Sequence, residues 1–475
     1  MESSRLVAPT GPAPPTSGGD GSSLDTILNI VNIAFGAGML GLPYAIQGSG
    51  FVSGIFGLAI VLVWNFVCCS LLVELRHELI QARAQAAKGS RLAADVGSPV
   101  SFAAVGSYAM GAAGTALVYI SVVVTLLGAA TAYLINANLL LRSTHFYLNP
   151  GWSDQTAMYV NTLFYMMLMY PLACIKSLAP LSRLSFPAIV ALIAGFAVII
   201  KLGLDMFGWP PMDEVLNWDA LYVPQTFKGF SSFFGVAVFS YGATIIILEI
   251  QARSMVKTEE FIDALKTSLW FIWVSYSVLG GAALLIYQQK GPVGDNIMEE
   301  LPTGSLAEEP LLLFITMATL FTYPLAMQPV ASIFEQALIG AGYGQSSAAV
   351  GGFYGAVAAE DGGSHPSFPT PQGAESGPQP RGELPPVLRY GLRVVLVLFT
   401  GVFATSVPNF GVVVSLLGSF AVTLGSFVLP PLFHFVVFGD RLSANVKMVD
   451  IALFVVGVVT CVFTTTTTAL HVLSG

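Results

Sequence analysis

Charge is what this sequence has least of. Only 10% of its residues are Asp, Glu, Lys or Arg, where a soluble domain carries roughly 25%. With hydrophobic residues at 55%, the charge present cannot cover the water-facing surface of a globule built from 475 residues. The composition therefore places the chain in lipid. No basic tract is present, so nucleic acid is not an expected partner, whereas membrane lipid is. The four cysteines (Cys68, Cys69, Cys174, Cys461) lie in or beside apolar runs without metal-ligand spacing, and read as small core residues. There is no Walker A pattern, no HExxH pair and no strand-borne Rossmann glycine fingerprint. Nothing points to ATP hydrolysis, an enzyme is not expected, and no cofactor is implied. Residues 1–23 lack the basic start and apolar core of a secretory signal; rich in Pro, Gly and Ser, they read as a disordered cytosolic tail.

What is there is a series of apolar runs near the roughly 20 residues that cross a bilayer. They fall at 26–47, 51–75, 115–141, 157–175, 186–206, 227–250, 265–288, 309–337, 387–407, 409–434 and 449–473. The expected fold class is an all-α integral membrane protein with about 11 transmembrane helices, eight within 24–338 and three within 387–475. The run at 157–175 is the weakest, polar at its start and carrying Pro171. Very short turns make hairpins of the first two spans and of the ninth and tenth. With residue 1 in the cytosol, all of the 19 Lys and Arg fall on the cytosolic side except Arg142, Lys201, Lys228 and Lys290, the asymmetry that sets topology. The segment 339–386 is Gly-, Ser-, Ala- and Pro-rich and too poor in large apolar residues to offset ordering entropy, so a disordered cytosolic loop is expected.

Two spans carry signs of interruption. The first contains Asn29, Asn32 and Gly36-Ala37-Gly38-Met39-Leu40-Gly41-Leu42-Pro43. Small residues around Ala37 weaken the helix, and a helix unwound in lipid must spend its freed carbonyls and N–H groups on a cavity and its ligand. The other reading is a small-residue face for close helix packing. The sixth span offers Phe239-Ser240-Tyr241-Gly242-Ala243-Thr244, again able to unwind. Interrupted segments in corresponding positions of two repeats are the sequence pointer to a transporter site. Glu249 follows, as a proton-binding or gating carboxylate or as an i, i+4 partner of Arg253. Thr322, before Pro324, offers a hydroxyl to a cation or to its own backbone. His434 ends the tenth span, as an interfacial histidine or part of a proton relay, and the threonines 464–468 read as self-satisfied.

At these segments the chain resembles the amino acid/auxin permease family, which includes sodium-coupled neutral amino acid transporters and plant proton-coupled amino acid permeases. The resemblance is carried by ILNIVNIAFGAGMLGLPYAIQGSGF (27–51), YPLACIKSLAPLSRLSFPAIVAL (170–192), FSYGATIIILEIQA (239–252), TYPLAMQPVASIFEQAL (322–338) and 393–435. It implies a LeuT-type fold of two inverted five-helix repeats plus an eleventh helix, moving an amino acid with a cation. By position, Asn32 and Thr322 match the side-chain ligands of the sodium branch. Thr244 stands where the plant branch often has His, and the cysteine-bearing extracellular loop of the sodium branch is absent, so Na+ and H+ both stay open.

The reading that follows is a secondary active carrier of neutral L-amino acids in a plasma membrane or a vacuolar or lysosomal membrane. The substrate carboxylate meets N–H groups of Ala37, Gly38 and Met39. Its ammonium meets carbonyls near Phe239, Ser240, Tyr241 and Gly242. Phe35, Phe239 and Tyr241 wall the side chain. Asn29, Asn32, Thr322 and Glu249 serve the coupling ion, with Asn32 and Thr322 as Na+ ligands. An amino acid sensor with little turnover and a passive channel are the alternatives.

Overall fold

The computed structural model describes residues 23–86, 100–143, 151–174, 185–210, 227–254, 258–301, 309–343, 384–407 and 409–474. The expected tail up to residue 22 and most of the expected loop, 344–383, lie outside them. Among the described residues every regular element is helical. The helices are α1 (Ser23–Ala34), α2 (Leu42–Ser49), α3 (Phe51–Gln85), α4 (Phe102–Ser143), α5 (Asp154–Ala173) and α6 (Ser185–Phe207). They continue with α7 (Phe227–Ser240), α8 (Ile247–Ser254), α9 (Thr258–Tyr287), α10 (Glu309–Leu338) and α11 (Pro386–Ser406). The tenth span is split into α12 (Phe410–Leu417) and α13 (Leu429–Phe438), and α14 (Ala444–Ser474) follows.

Among the described residues, seven helical stretches are long and apolar enough to cross a membrane, and the bent pair α1–α2 adds an eighth. A helix lies on each of the expected runs. The one at 154–173, which opens on Asp154, Gln155 and Thr156 and carries Pro171, is not in that set, and neither are those at 185–207 and 309–338. The third begins earlier than its apolar core, at Phe102, and turns at Gly111 with φ 62°. The first five residues of the expected loop, Ile339–Tyr343, prolong α10 as a π-turn.

Large apolar side chains face outward: Phe56, Met167, Trp270, Val402 and Val462 are each at least 59% exposed. Polar ones point in, with Asn65, Asn136, Thr244, Ser268 and Thr423 buried. That inversion is the signature of a protein dissolved in hydrocarbon. At the centre, α9 packs against α1, α3 and α6, while α7 lies between α2, α12 and α14. Close approach there depends on missing side chains: a Cβ on Gly418 would overlap the Gly235 carbonyl. Small residues are what let helices meet closely in a membrane.

Candidate functional site

The first span comes apart where the glycines sit. The last regular bond of α1 runs from Phe35 N–H to the Val31 carbonyl at 2.8 Å. Gly36 is then extended, with φ −122° and ψ −158°. A 3-10 turn over Ala37–Gly41 follows, and Pro43 in the first turn of α2 starts the helix anew. The two halves differ in direction by 51°.

The sixth span breaks more gently. α7 ends at Ser240, and Gly242–Ile246 tightens into a 3-10 turn before α8. The Ala243 N–H turns back to the Tyr241 carbonyl at 2.6 Å. The two breaks face each other: a Cβ on Gly38 would stand 2.5 Å from Ser240 Oγ and 3.0 Å from the Ser240 Cα. Glycine at 38 is thus required by contact with the other break.

Freed carbonyls in lipid need donors, and the protein supplies them. The Tyr276 hydroxyl, on α9, lies 2.6 Å from the Ala34 carbonyl and 2.9 Å from the Ser240 carbonyl. One hydroxyl proton therefore serves both breaks. Asn65 Nδ2, on α3, donates to the Tyr241 carbonyl at 3.1 Å. The Cys69 thiol is 3.5 Å from both Asn65 Oδ1 and Thr244 Oγ1, tying α3 to the 3-10 turn. Aromatic rings close round: Phe35 stacks on Tyr276 at 5.9 Å and on Phe271 at 6.1 Å, and Tyr241 meets Tyr276 edge-on at 5.4 Å. A Cβ on Gly36 would lie 3.1 Å from the Tyr133 hydroxyl. Tyr241 is fully buried, yet its hydroxyl has no hydrogen-bond partner among the described residues.

The structure brings together Phe35, Ala37, Gly38 and Met39 of the first break with Phe239, Ser240, Tyr241 and Gly242 of the sixth, all buried or half-buried. The residues expected at the ion lie on three helices, α1, α8 and α10. Asn29 and Asn32 are half-buried on α1, which packs on α9, α6 and α8. Thr322 is on α10, which packs mainly on α4; its neighbour Tyr323 bonds Thr400 on α11 at 2.7 Å. Glu249 is half-buried at the start of α8, and the side chain of its expected partner Arg253 is outside the described set. A shallow cleft of about 20 Å³, lined by Tyr44, Ser231, Gly411, Ser415 and Thr468, lies between α2, α7, α12 and α14.

Sequence reasoning missed Tyr276, Asn65 and Tyr133. Asn65 had a signal, a lone amide in an otherwise apolar run. It also missed the tenth segment, where α12 passes into π-turns at Gly418–Val422 and Leu424–Val428. Wide turns of this kind concentrate at functional sites, and this one packs against α7.

At the α2 end of the first break lies the loop 293–301. Its Val293 N–H donates to Gln47 Oε1 at 3.1 Å, and Asn296 Nδ2 to Asn136 Oδ1 at 3.0 Å. Asp295 Oδ2 accepts from the Gly411 N–H at 2.7 Å, at the start of α12. Burial pushes the Asp295 carboxyl up, against the pull of the Gly411, Asp295 and Asn296 N–H groups.

A family model described as transmembrane amino acid transporter protein matches residues 19–470. The amino acid transporter AVT3A of Arabidopsis thaliana is 28% identical over 94% of this chain and 88% of its own length. The vacuolar amino acid transporter 4 of Saccharomyces cerevisiae is 23% identical over 68% of this chain and 42% of its own length. Among solved structures, MhsT in complex with L-phenylalanine aligns with a TM-score of 0.57 at 13% identity, over 94% of this chain and 98% of MhsT. The inward-facing conformation of Mhp1 aligns with a TM-score of 0.52 at 12% identity, over 100% and 96%. The fold is that of LeuT-type transporters.

Proposed function

The chain belongs to the transmembrane amino acid transporter family, a multi-pass membrane protein of amino acid transport and not an enzyme, and from that premise we propose that it carries neutral L-amino acids by alternating access, coupled to Na+ or H+. One observation carries the reading: two interrupted spans face each other at Gly38 and Ser240, and a single Tyr276 hydroxyl serves a carbonyl from each. A zwitterion fits what surrounds it. Its ammonium replaces Tyr276 and Asn65 as donor to the Ser240 and Tyr241 carbonyls. Its carboxylate takes N–H groups of Ala37, Gly38 and Met39 at the positive start of the 3-10 turn and α2. The walls, Phe35, Phe239 and Tyr241, carry no formal charge, which favours neutral side chains over acidic or basic ones.

The coupling ion has two routes. A sodium route requires Asn32 and Thr322 to hold the ion together. A proton route requires a carboxylate such as Glu249 to exchange its proton. A vacuolar or lysosome-like membrane is favoured over the plasma membrane by the relatives named vacuolar and, at 23% identity, vesicular. The test is uptake of labelled neutral amino acids into proteoliposomes under an imposed sodium gradient, a proton gradient or neither. Concentrative uptake under one gradient supports a coupled carrier. Binding without uptake would favour a sensor, and uptake that only equilibrates would favour a channel.

A further inference from the structure

A second group of buried titratable side chains lies away from the breaks, at the end of the bundle expected to face the cytosol. His434 on α13 has Nδ1 2.7 Å from Asp450 Oδ2 on α14 and Nε2 3.2 Å from Glu74 Oε2 on α3. The His434 and Asp450 side chains are 3% and 1% exposed, while that of Glu74 is 40% exposed. A neutral imidazole has one N–H and one lone pair, and an ionised carboxylate only accepts. Filling both N···O lines therefore takes two protons among three groups, as an imidazolium between two carboxylates or as a neutral ring beside one carboxylic acid. Both arrangements have a net charge of about −1 by this inventory. When one proton leaves, a ring lone pair is left facing a carboxylate oxygen, and that contact becomes repulsive. The line to Asp450 is short and sealed, so it holds its proton. The line to Glu74 is longer and reaches water, so it is the one that opens.

The surroundings support a seam rather than an isolated pair. On α3, Glu78 one turn on is bonded to Arg441 at 2.7 Å, His77 bonds Gln81 at 2.9 Å, and the Cys68 thiol lies near Asp450. The turn after α13 brings Asp440 and Arg441, the latter 5.1 Å over the Phe438 ring. That ring in turn packs on His434 at 4.8 Å. α14 adds Lys447 a turn before Asp450. α4 brings the Phe102 ring against Phe433 and Tyr108 towards Arg441. The π-turn at Leu424–Val428 brings no titratable group. Glu74 and His434 thus sit where α3, α13 and α14 join.

We propose that His434, Asp450 and Glu74 form a proton-binding latch, in which the proton between His434 Nε2 and Glu74 Oε2 holds α3 to α13 and α14 and its release to water frees that end of the bundle. The site binds H+ and is separate from the substrate breaks, so it stands whether or not the transport reading does.

Spin labels at Ala84→Cys on α3 and Met448→Cys on α14, both exposed positions, in a Cys174→Ser background, report the separation of the two helix ends. The full chain in lipid nanodiscs is measured by pulsed dipolar resonance from about pH 5 to about pH 10, the range over which a histidine site titrates. The expected result is one short-distance population in acid and a second, longer one that grows in with a one-proton transition. In Glu74→Gln the amide accepts from an Nε2–H or donates to a bare Nε2. The contact is then satisfied in both ring states, and the longer population is lost at every pH. A distance distribution unchanged with pH in the unsubstituted triad overturns the proposal. So does a transition that Glu74→Gln leaves in place.

Discussion

The chain bends by 51° where α1 hands over to α2, whereas α7, the 3-10 turn and α8 run on as one span. The composition of the two breaks accounts for the difference. The first has an extended Gly36, further glycines at 38 and 41, and Pro43 fixing where the helix restarts. The sixth has Gly242 and no proline, and Ser240 Oγ donates to the Val236 carbonyl at 2.8 Å, holding α7 regular to its end. The first is thereby a hinge packed against its neighbour, and the sixth a nearly straight helix that exposes carbonyls. The glycines should separate the two. Gly38→Val puts a branched side chain where a Cβ already stands 2.5 Å from Ser240 Oγ. It should reduce uptake to background while the protein still inserts and elutes as a single species. Gly242→Ala meets nothing nearer than Val422 Cγ1 at 3.7 Å, and should keep uptake within about two-fold, a shift below ~0.5 kcal/mol. Equal loss in both would show that the two breaks are not different in kind.

The carbonyl donors sharpen the contrast. Tyr276→Phe strips the shared donor from both breaks, whereas Asn65→Leu strips only the Tyr241 carbonyl. An unsatisfied buried polar group costs about 1–3 kcal/mol. Thermal unfolding of the detergent-solubilised protein should therefore shift down in both, and further in Tyr276→Phe. A neutral amino acid should restore more of the loss in Tyr276→Phe, because its ammonium then meets a carbonyl without a competitor. Restoration confined to Asn65→Leu would move the ammonium site wholly into the sixth break.

Thr322 bears on the coupling ion. If sodium couples, Thr322→Ala removes a ligand and the sodium needed for half-maximal uptake should rise about ten-fold, ~1.4 kcal/mol. If protons couple, uptake should be unaltered in its ion dependence. Ion-replacement kinetics in proteoliposomes separate the two.

The breaks were legible because glycine clusters and a proline in an apolar run have few other uses in lipid. The helices were legible because hydropathy is summed over many residues, as at 449–473. Tyr276 was not. In FIWVSYSVLGG it reads as one more packing aromatic, and only the crossing of α9 over both breaks turns its hydroxyl into a shared donor. The same holds for His434, whose partner Glu74 is 360 residues away in sequence. Pairing across such separations is a property of packing, which periodicity does not encode. Asn32 and Thr322 show the converse. Their types suggest a cation site, but they sit on α1 and α10, nearly 300 residues apart in sequence, and side-chain chemistry alone does not say how two such helices are set against each other.

The smallest effect is expected at Asp295, which fastens the loop 293–301 at the α2 end of the hinge. Its backbone carbonyl would lie 3.5 Å from a Cβ on Gly41, so the loop is seated beside the start of α2, while the carboxylate holds the start of α12. Burial raises its folded pKa above the value of roughly 4 expected in an unfolded chain. The folded state therefore binds the proton more tightly, and the stability this group contributes is present below about pH 4 and declines as the pH rises through the folded value. Asp295→Asn keeps an oxygen for the Gly411 N–H and cannot ionise, so its melting temperature should lack that decline as the pH rises above about 4. If the substituted and native proteins track each other across that rise, the Gly411, Asp295 and Asn296 N–H groups outweigh burial, and the loop is held by an ordinary ionised cap.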